Sequence, residues 1–135
     1  MKVLLALVAG LLTAQKDTTK DESKLQGTWV VVSAQREGKP YRDVKDAKLI
    51  FKDNMLIIRR PRDEDAKSTY RVDATKTPRT IDLTEDGRVS KGIYLLQGDV
   101  LKLCISAFSS KKRPDKFSAE KGEGTALIEL KREKK

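Results

Sequence analysis

The chain has 135 residues, of which 38% are hydrophobic and 36% are charged, and its formal net charge is +9. This length suits one domain with a modest core, and the composition is too apolar for a disordered chain. The chain has no histidine and one cysteine, which excludes histidine-dependent triads, classical zinc sites and an internal disulfide. We therefore assign no catalytic residue, metal ligand or cofactor, and we expect a protein that is not an enzyme.

The first 14 residues have the three parts of a secretory signal peptide. A basic start at Lys2 precedes an apolar run from Val3 to Leu12, and Thr13-Ala14 supplies small residues for cleavage. The run is shorter than the roughly 20 apolar residues of a membrane span. We expect cleavage after Ala14, a periplasmic or extracellular location, and no transmembrane span in the mature chain.

Residues Gln15 to Lys24 are polar and charged and show no hydrophobic periodicity. Such a segment is typical of a flexible leader. We therefore expect the folded domain to begin at Leu25 and to extend to Glu133.

Beyond Leu25, short runs rich in β-branched and aromatic residues alternate with turn signals, as in an antiparallel meander. Leu101, Leu103 and Ile105 illustrate the alternation, since they share one face of an extended chain. The predicted strands are Gly27 to Ala34, Ala47 to Lys52, Met55 to Arg60, Ser68 to Asp73, Thr80 to Thr84, Lys91 to Leu96, Val100 to Ser106 and Thr125 to Arg132. About eight strands in this order predict an all-β, antiparallel, up-and-down barrel like that of lipocalins.

The connections predict that the two ends of this barrel differ. Asp53-Asn54 and Gln97-Gly98-Asp99 are tight turns, whereas Gln35 to Asp46 and Ala107 to Gly124 are long connections. Connections alternate between the two ends of an up-and-down barrel, so both long ones share an end. We expect a loop-rich mouth and a closed base.

Three residues are assigned to the structural base. Gly27 and Trp29 begin the first strand, and Arg132 ends the last one. Counting by twos from Ile128 and Leu130 places Arg132 on the inward face. Its guanidinium is therefore expected to stack on Trp29, a contact that contributes about 0.5 to 2 kcal/mol.

The tripeptide Gly27-Thr28-Trp29 resembles the Gly-x-Trp signature of lipocalins, whose tryptophan commonly stacks on an arginine near the end of the barrel. A longer pattern spans Leu25 to Arg132. It comprises Leu25-Gln26-Gly27-Thr28-Trp29, Ile81-Asp82-Leu83, Gly92-Ile93-Tyr94, Gly98-Asp99-Val100-Leu101-Lys102-Leu103-Cys104, Arg113-Pro114 with Phe117, and Leu130-Lys131-Arg132. This pattern resembles the planctomycetal lipocalin-like domain family of exported proteins. The resemblance implies a lipocalin-like barrel, but no reaction or ligand.

Four residues are candidates for ligand binding. Tyr70 and Tyr94, if both face inward, line a small cavity and offer hydroxyls to a ligand, or else they simply fill the interior. Arg113 and Phe117 lie in the long connection after Ser106, where they either bind or gate at the mouth, or pin the loop to the barrel together with Pro114. Cys104 is expected to be a buried thiol.

Three functions remain open. The first is non-enzymatic binding of a small apolar or amphipathic molecule through the mouth. The second is an interaction with an anionic envelope surface through the basic exterior. Nucleic acid is disfavoured as a partner, because no basic run is interleaved with stacking aromatic residues. The third is a carboxylate-dependent hydrolase, although nothing in the sequence selects a pair of acids.

Overall fold

A computed structural model describes residues 17–108, 110 and 112–134, so the predicted signal peptide over residues 1–14 lies outside the described residues. A helix, α1, spans residues 17–25, and a 3-10 helix covers Arg42–Val44. The strands are β1 Gly27–Arg36, β2 Lys39–Pro40, β3 Lys48–Lys52, β4 Met55–Arg59, β5 Ala66–Asp73, β6 Arg79–Glu85, β7 Arg88–Gln97, β8 Val100–Ser106 and β9 Thr125–Arg132. The predicted strands correspond to β1 and to β3 through β9.

Eight strands close into an antiparallel barrel in sequential order, which confirms the predicted fold class. The first half of β1 pairs with β3, and β9 pairs with β1 from Trp29 opposite Arg132 to Arg36 opposite Ala126. Between Val31 and Ser33 the register shifts at a β-bulge, which bends the strand. The short β2 adds only a hairpin to the end of β1.

Alternation along the strands places one set of side chains inside the barrel. The core consists of Leu25, Trp29, Leu49, Phe51, Leu56, Tyr70, Val72, Ile81, Tyr94, Leu101, Leu103, Ile128 and Leu130. Gly92 also faces inward, and a Cβ there would approach the side chain of Ile105 and lie 2.8 Å from the carbonyl oxygen of Cys104. Only glycine therefore fits where β7 passes β8.

Residues 17–24 are helical, so the prediction of a flexible leader is wrong over this range. The helix carries too little apolar periodicity to be recognised, and contacts with the barrel hold it instead. Leu25 is fully buried, and its carbonyl accepts a hydrogen bond of 2.9 Å from Trp29 Nε1. Thr18 Oγ1 accepts one of 3.1 Å from the Ala74 amide. In the described part of the chain, no helix has the length and apolar character that crossing a membrane requires.

The two ends of the barrel are built from different elements. The base contains the turns at residues 53–54, 74–78 and 98–99, the start of β1 and the end of β9, and α1 packs there. The mouth contains the connections at residues 37–47, 60–65 and 86–87 and the beginning of the long β8–β9 connection. The strand order thus places the two predicted tight turns at one end of the barrel and both long connections at the other, as expected from the sequence.

Candidate functional site

Tyr94 faces the interior, and its hydroxyl holds α1 against the base. The hydroxyl donates to Asp21 Oδ2 at 2.6 Å, and Arg79 Nη1 donates to the same oxygen at 2.6 Å. Asp21 is buried, with 4% of its surface exposed. Burial is the main cause that raises the pKa of Tyr94, and the hydrogen bond to Asp21 raises it further. The Tyr94 hydroxyl is therefore occupied by the protein itself.

The Tyr70 hydroxyl is likewise held by hydrogen bonds within the protein. Its hydroxyl donates to the Asp53 carbonyl at 2.9 Å and accepts from Gln26 Nε2 at 2.8 Å. Its ring meets Phe51 edge-on, with centroids 5.0 Å apart. Burial, followed by the charge of Glu22, raises the pKa of Tyr70. Both tyrosines thus match the alternative in which they fill the interior, and neither offers a hydroxyl to the mouth.

Arg132 lies over Trp29, as the register of the first and last strands predicts. Its guanidinium carbon is 4.3 Å from the centroid of the tryptophan ring. Arg132 also donates to the carbonyls of Gln26 and Lys24 and to Asp99. Gly27 has a φ of +115°, and a Cβ at this position would lie 3.4 Å from Arg132 Nη1. Glycine therefore provides the backbone conformation and leaves room for the guanidinium.

Arg113 does not gate the mouth but binds the outer wall of the barrel. Its Nη2 lies 2.7 Å from Asp82 Oδ1, and its Nη1 donates to the carbonyls of Gly92 at 2.8 Å and Ile81 at 3.3 Å. These contacts correspond to the alternative in which the residue pins the loop. Phe117, the other candidate from this loop, is half-buried.

The long β8–β9 connection covers the outer face of the barrel beside Arg113. Outward-facing Ile93 and Cys104 are buried, and Cys104 Sγ donates to the Ser118 carbonyl at 3.3 Å. Burial raises the pKa of the Cys104 thiol, as expected for a structural cysteine. The sequence contains a signal for this covered wall. β7 and β8 include continuous apolar runs, whereas a strand with one face in solvent alternates apolar and polar residues.

The mouth retains apolar side chains that solvent still reaches. Five inward-facing residues pack on the core but are only partly buried there: Val31, Ala34, Ile58, Leu83 and Ile105. Phe108 is 42% exposed at the rim, and the guanidinium carbon of Arg88 lies 5.2 Å from its ring centroid. The mouth is therefore a shallow apolar surface with charged residues at its edge.

A second feature is the outer face of three neighbouring strands. We call the outward side chains of β3, β4 and β5 the basic wall; they are Lys48, Ile50, Lys52, Met55, Ile57, Arg59, Lys67, Thr69, Arg71 and Asp73. Five are cations and one is an acid. This clustering follows from strand register and is not visible in the charge distribution along the sequence.

A groove of about 1530 Å³ adjoins the basic wall. The β5 and β6 side chains form its floor, α1 and the 75–78 turn border one side, and residues 113–115 border another. Seven of its lining residues are threonines, and we call it the threonine groove: Thr18, Thr19, Thr69, Thr75, Thr77, Thr80 and Thr84. Sequence reasoning missed it, because these residues come from four separate segments.

The described acids offer no evident metal centre. Asp65 accepts from Arg59 at 2.9 Å, and Asp63 lies 3.9 Å from Arg60. Among the residues described, no group of three or more aspartate, glutamate, histidine or cysteine side chains is arranged to hold a metal ion.

Eight antiparallel strands in sequential order, closed between the first and the last, define an all-β up-and-down barrel of lipocalin-like architecture. No family model matches the chain, and neither does a curated protein or a solved structure. The class therefore follows from the fold.

Proposed function

We propose that the chain is an exported, non-enzymatic lipocalin-like protein that binds a small apolar or amphipathic molecule at the mouth of its barrel. We also propose that it belongs to the planctomycetal lipocalin-like family that its sequence pattern resembles. The observation that carries the binding proposal is the unequal burial of the inward-facing side chains at the two ends. A ligand can gain apolar contact only where such side chains still reach solvent.

The base offers much less of this surface, because among its described inward-facing apolar side chains only Leu96 is partly buried. Trp29 is 0% exposed, Phe51 and Tyr94 are 1% exposed, and α1 packs on the same end through Asp21 and Leu25. At the mouth, by contrast, Ile58, Leu83 and Ile105 remain partly exposed. Covering this surface with an apolar group gains about 25 cal/mol for each Å² removed from water.

The mouth also favours an amphipathic ligand over a purely apolar one. The core fills the base, so the site is shallow and a long ligand keeps one end in solvent. Half-buried Glu85 follows Leu83 on the inward face, and exposed Arg88 stands at the rim. These charged groups provide partners for a polar head, while the aliphatic side chains contact the apolar part.

The test is a fluorescence titration of the full chain with N-phenyl-1-naphthylamine, an uncharged apolar probe that carries one polar amine. Leu83→Lys places a charged ammonium group in the mouth, and the lysine side chain is long enough for this group to reach solvent. We expect this variant to lose about tenfold or more in affinity, which corresponds to about 1.4 kcal/mol. Leu95→Lys is the matched control, because Leu95 is an outward-facing leucine with 38% exposure.

Circular dichroism verifies that both variants fold. The proposal is wrong if the unmodified protein does not bind the probe, or if Leu83→Lys and Leu95→Lys bind it equally well.

The export part of the proposal has a separate test. If the predicted signal peptide is removed after Ala14, intact-mass measurement of the protein made in a secreting bacterial host shows a chain that starts at Gln15. Recovery of the uncleaved chain in the cytoplasm would contradict it.

A further inference from the structure

The basic wall carries an excess of positive charge that the protein does not neutralise. Lys52, Lys67 and Arg71 are exposed, and no carboxylate in the described part of the chain forms an ion pair with them. The two remaining cations, Lys48 and Arg59, pair with Glu133 and Asp65. Lys52 lies on β3, and Lys67 and Arg71 lie on β5; these strands flank β4 on the same outer face, so the three cations present one positive surface to an approaching partner.

The apolar content of this wall disfavours a lipid bilayer as the partner. Ile50, Met55 and Ile57 lie between the cations but are partly buried. The exposed large apolar side chains lie elsewhere, at Val32, Val89, Leu95, Val100 and Phe108. Binding at a bilayer interface gains strength from inserted apolar side chains, and this convex wall has few to insert. A flexible polymer can follow its curvature instead.

The threonine groove adds a second kind of recognition to the same surface. Thr69 and Arg71 belong both to the basic wall and to the groove, so the two are continuous. Four acids line the groove, and one of them, Asp82, lies 2.7 Å from Arg113, whereas Glu22, Asp73 and Asp115 form no ion pair with a described cation. The anionic groups of a partner are therefore expected over the basic wall, and its uncharged groups in the groove. The remaining lining is rich in hydroxyl groups, which both donate and accept hydrogen bonds.

We propose that this combined surface binds a linear acidic polysaccharide. The hydroxyl groups of the sugar rings occupy the threonine groove, and the sulfate or carboxylate groups contact Lys52, Lys67 and Arg71. Lys67 and Arg71 are four residues apart on one face of β5, about 13 Å at the rise of an extended strand. A chain of several sugars is therefore needed to span both.

The first experiment compares three soluble polymers of similar length with the full chain, by isothermal titration calorimetry. Heparin is an acidic polysaccharide, dextran is a neutral one, and polyphosphate is a polyanion without sugar rings. We expect heparin to bind at least about tenfold more tightly than either of the others, and its affinity to fall as salt increases. Equal binding of dextran would overturn the role of the basic wall, and equal binding of polyphosphate would overturn the recognition of sugars.

The second experiment places the site on the barrel. The triple substitution Lys52→Glu, Lys67→Glu and Arg71→Glu is expected to weaken heparin binding by about tenfold or more. The control changes three exposed cations of the mouth, Lys39→Glu, Arg62→Glu and Lys121→Glu, and thus changes the net charge by the same amount. An equal loss in the control would show a response to net charge alone and would contradict the proposal.

A third variant tests the threonine groove without a change in charge. Thr80→Val and Thr84→Val keep the branched shape but remove two hydroxyl groups from the floor. We expect heparin to bind about threefold more weakly and polyphosphate binding to stay unchanged. Unchanged heparin binding would show that the threonine groove is not part of the binding site.

Two further measurements separate this inference from its alternatives. Vesicles that contain anionic lipid are expected to bind more weakly than heparin, and tighter binding to vesicles would overturn the choice of partner. Leu83→Lys, the mouth variant, is expected to bind heparin like the unmodified protein, because the wall lies outside the barrel. A loss of heparin binding in this variant would contradict a separate site.

Discussion

The two ends of the barrel are made by the same eight strands but differ in how their inward side chains are used. At the base, the aromatic rings are buried. The tyrosine hydroxyls there donate hydrogen bonds to the Asp21 carboxylate and to the Asp53 carbonyl. At the mouth, aliphatic side chains are smaller and solvent reaches them. One barrel thus concentrates its packing at the base and leaves apolar side chains accessible to solvent at the mouth.

Removal of a large side chain is expected to have the largest effect on stability, and the effect is expected to differ between the two ends. Phe51→Ala leaves a cavity in the packed base and is expected to reduce the free energy of unfolding by about 3 to 5 kcal/mol. Ile58→Ala at the mouth is its counterpart and is expected to cost about 1 to 2 kcal/mol, because solvent already reaches that residue. Urea denaturation measures both. Equal losses would show that the two ends are packed alike.

Asp21 tests whether α1 is part of the base. Asp21→Ala leaves Tyr94 and Arg79 without their shared acceptor, and we expect a loss of about 1 to 3 kcal/mol in unfolding free energy. Glu22→Ala, on the exposed side of the same helix, is the control and is expected to change stability little. If both substitutions have the same small effect, α1 does not close the base.

The buried tyrosines predict that stability falls in alkaline solution. Burial raises the pKa of both Tyr70 and Tyr94 in the folded state, so the folded chain keeps these protons where the unfolded chain releases them. The resulting stabilisation is complete below about pH 10 and is lost as the pH rises above it, by up to about 1.4 kcal/mol per pH unit for each tyrosine. Denaturant unfolding between pH 8 and pH 11 measures the slope.

Tyr94→Phe provides the reference for that slope. This variant lacks one ionisable hydroxyl, so its stability is expected to fall less steeply above pH 10. Parallel pH profiles for the two proteins would mean that the Tyr94 hydroxyl ionises equally in the folded and unfolded chains.

Arg132 gives the smallest expected effect at the base. Arg132→Ala removes the contact with Trp29 and is expected to lower the free energy of unfolding by about 0.5 to 2 kcal/mol without changing probe binding at the mouth. Lys131→Ala, the exposed neighbour, serves as the control. An unchanged melting temperature for Arg132→Ala would show that the stacking contact does not stabilise the fold.

Strand positions and barrel closure could be predicted from the sequence because the alternation of side chains is local. Leu101, Leu103 and Ile105 mark β8, and the inward count from Leu130 leads to Arg132 opposite Trp29. These inferences need only a period of two residues and an antiparallel order.

The helix and the candidate sites depend on contacts between distant segments, which no local pattern carries. α1 contains one fully buried leucine and is anchored by Asp21, whose partners Arg79 and Tyr94 lie on β6 and β7. The sequence predicts Arg113 either at the mouth or as a loop anchor, and the position of Asp82 is needed to choose between the two. The basic wall likewise required the register of three strands.

We propose that packing and α1 close the base and that a ligand enters only at the mouth. Methyl NMR of the full chain during titration with an apolar probe tests this proposal directly, since isoleucine and leucine methyl groups are present at both ends. We predict that the signals of Ile58, Leu83 and Ile105 shift, whereas those of Leu25, Leu56 and Leu101 do not. Shifts confined to the second group, or spread equally over both, would contradict the account.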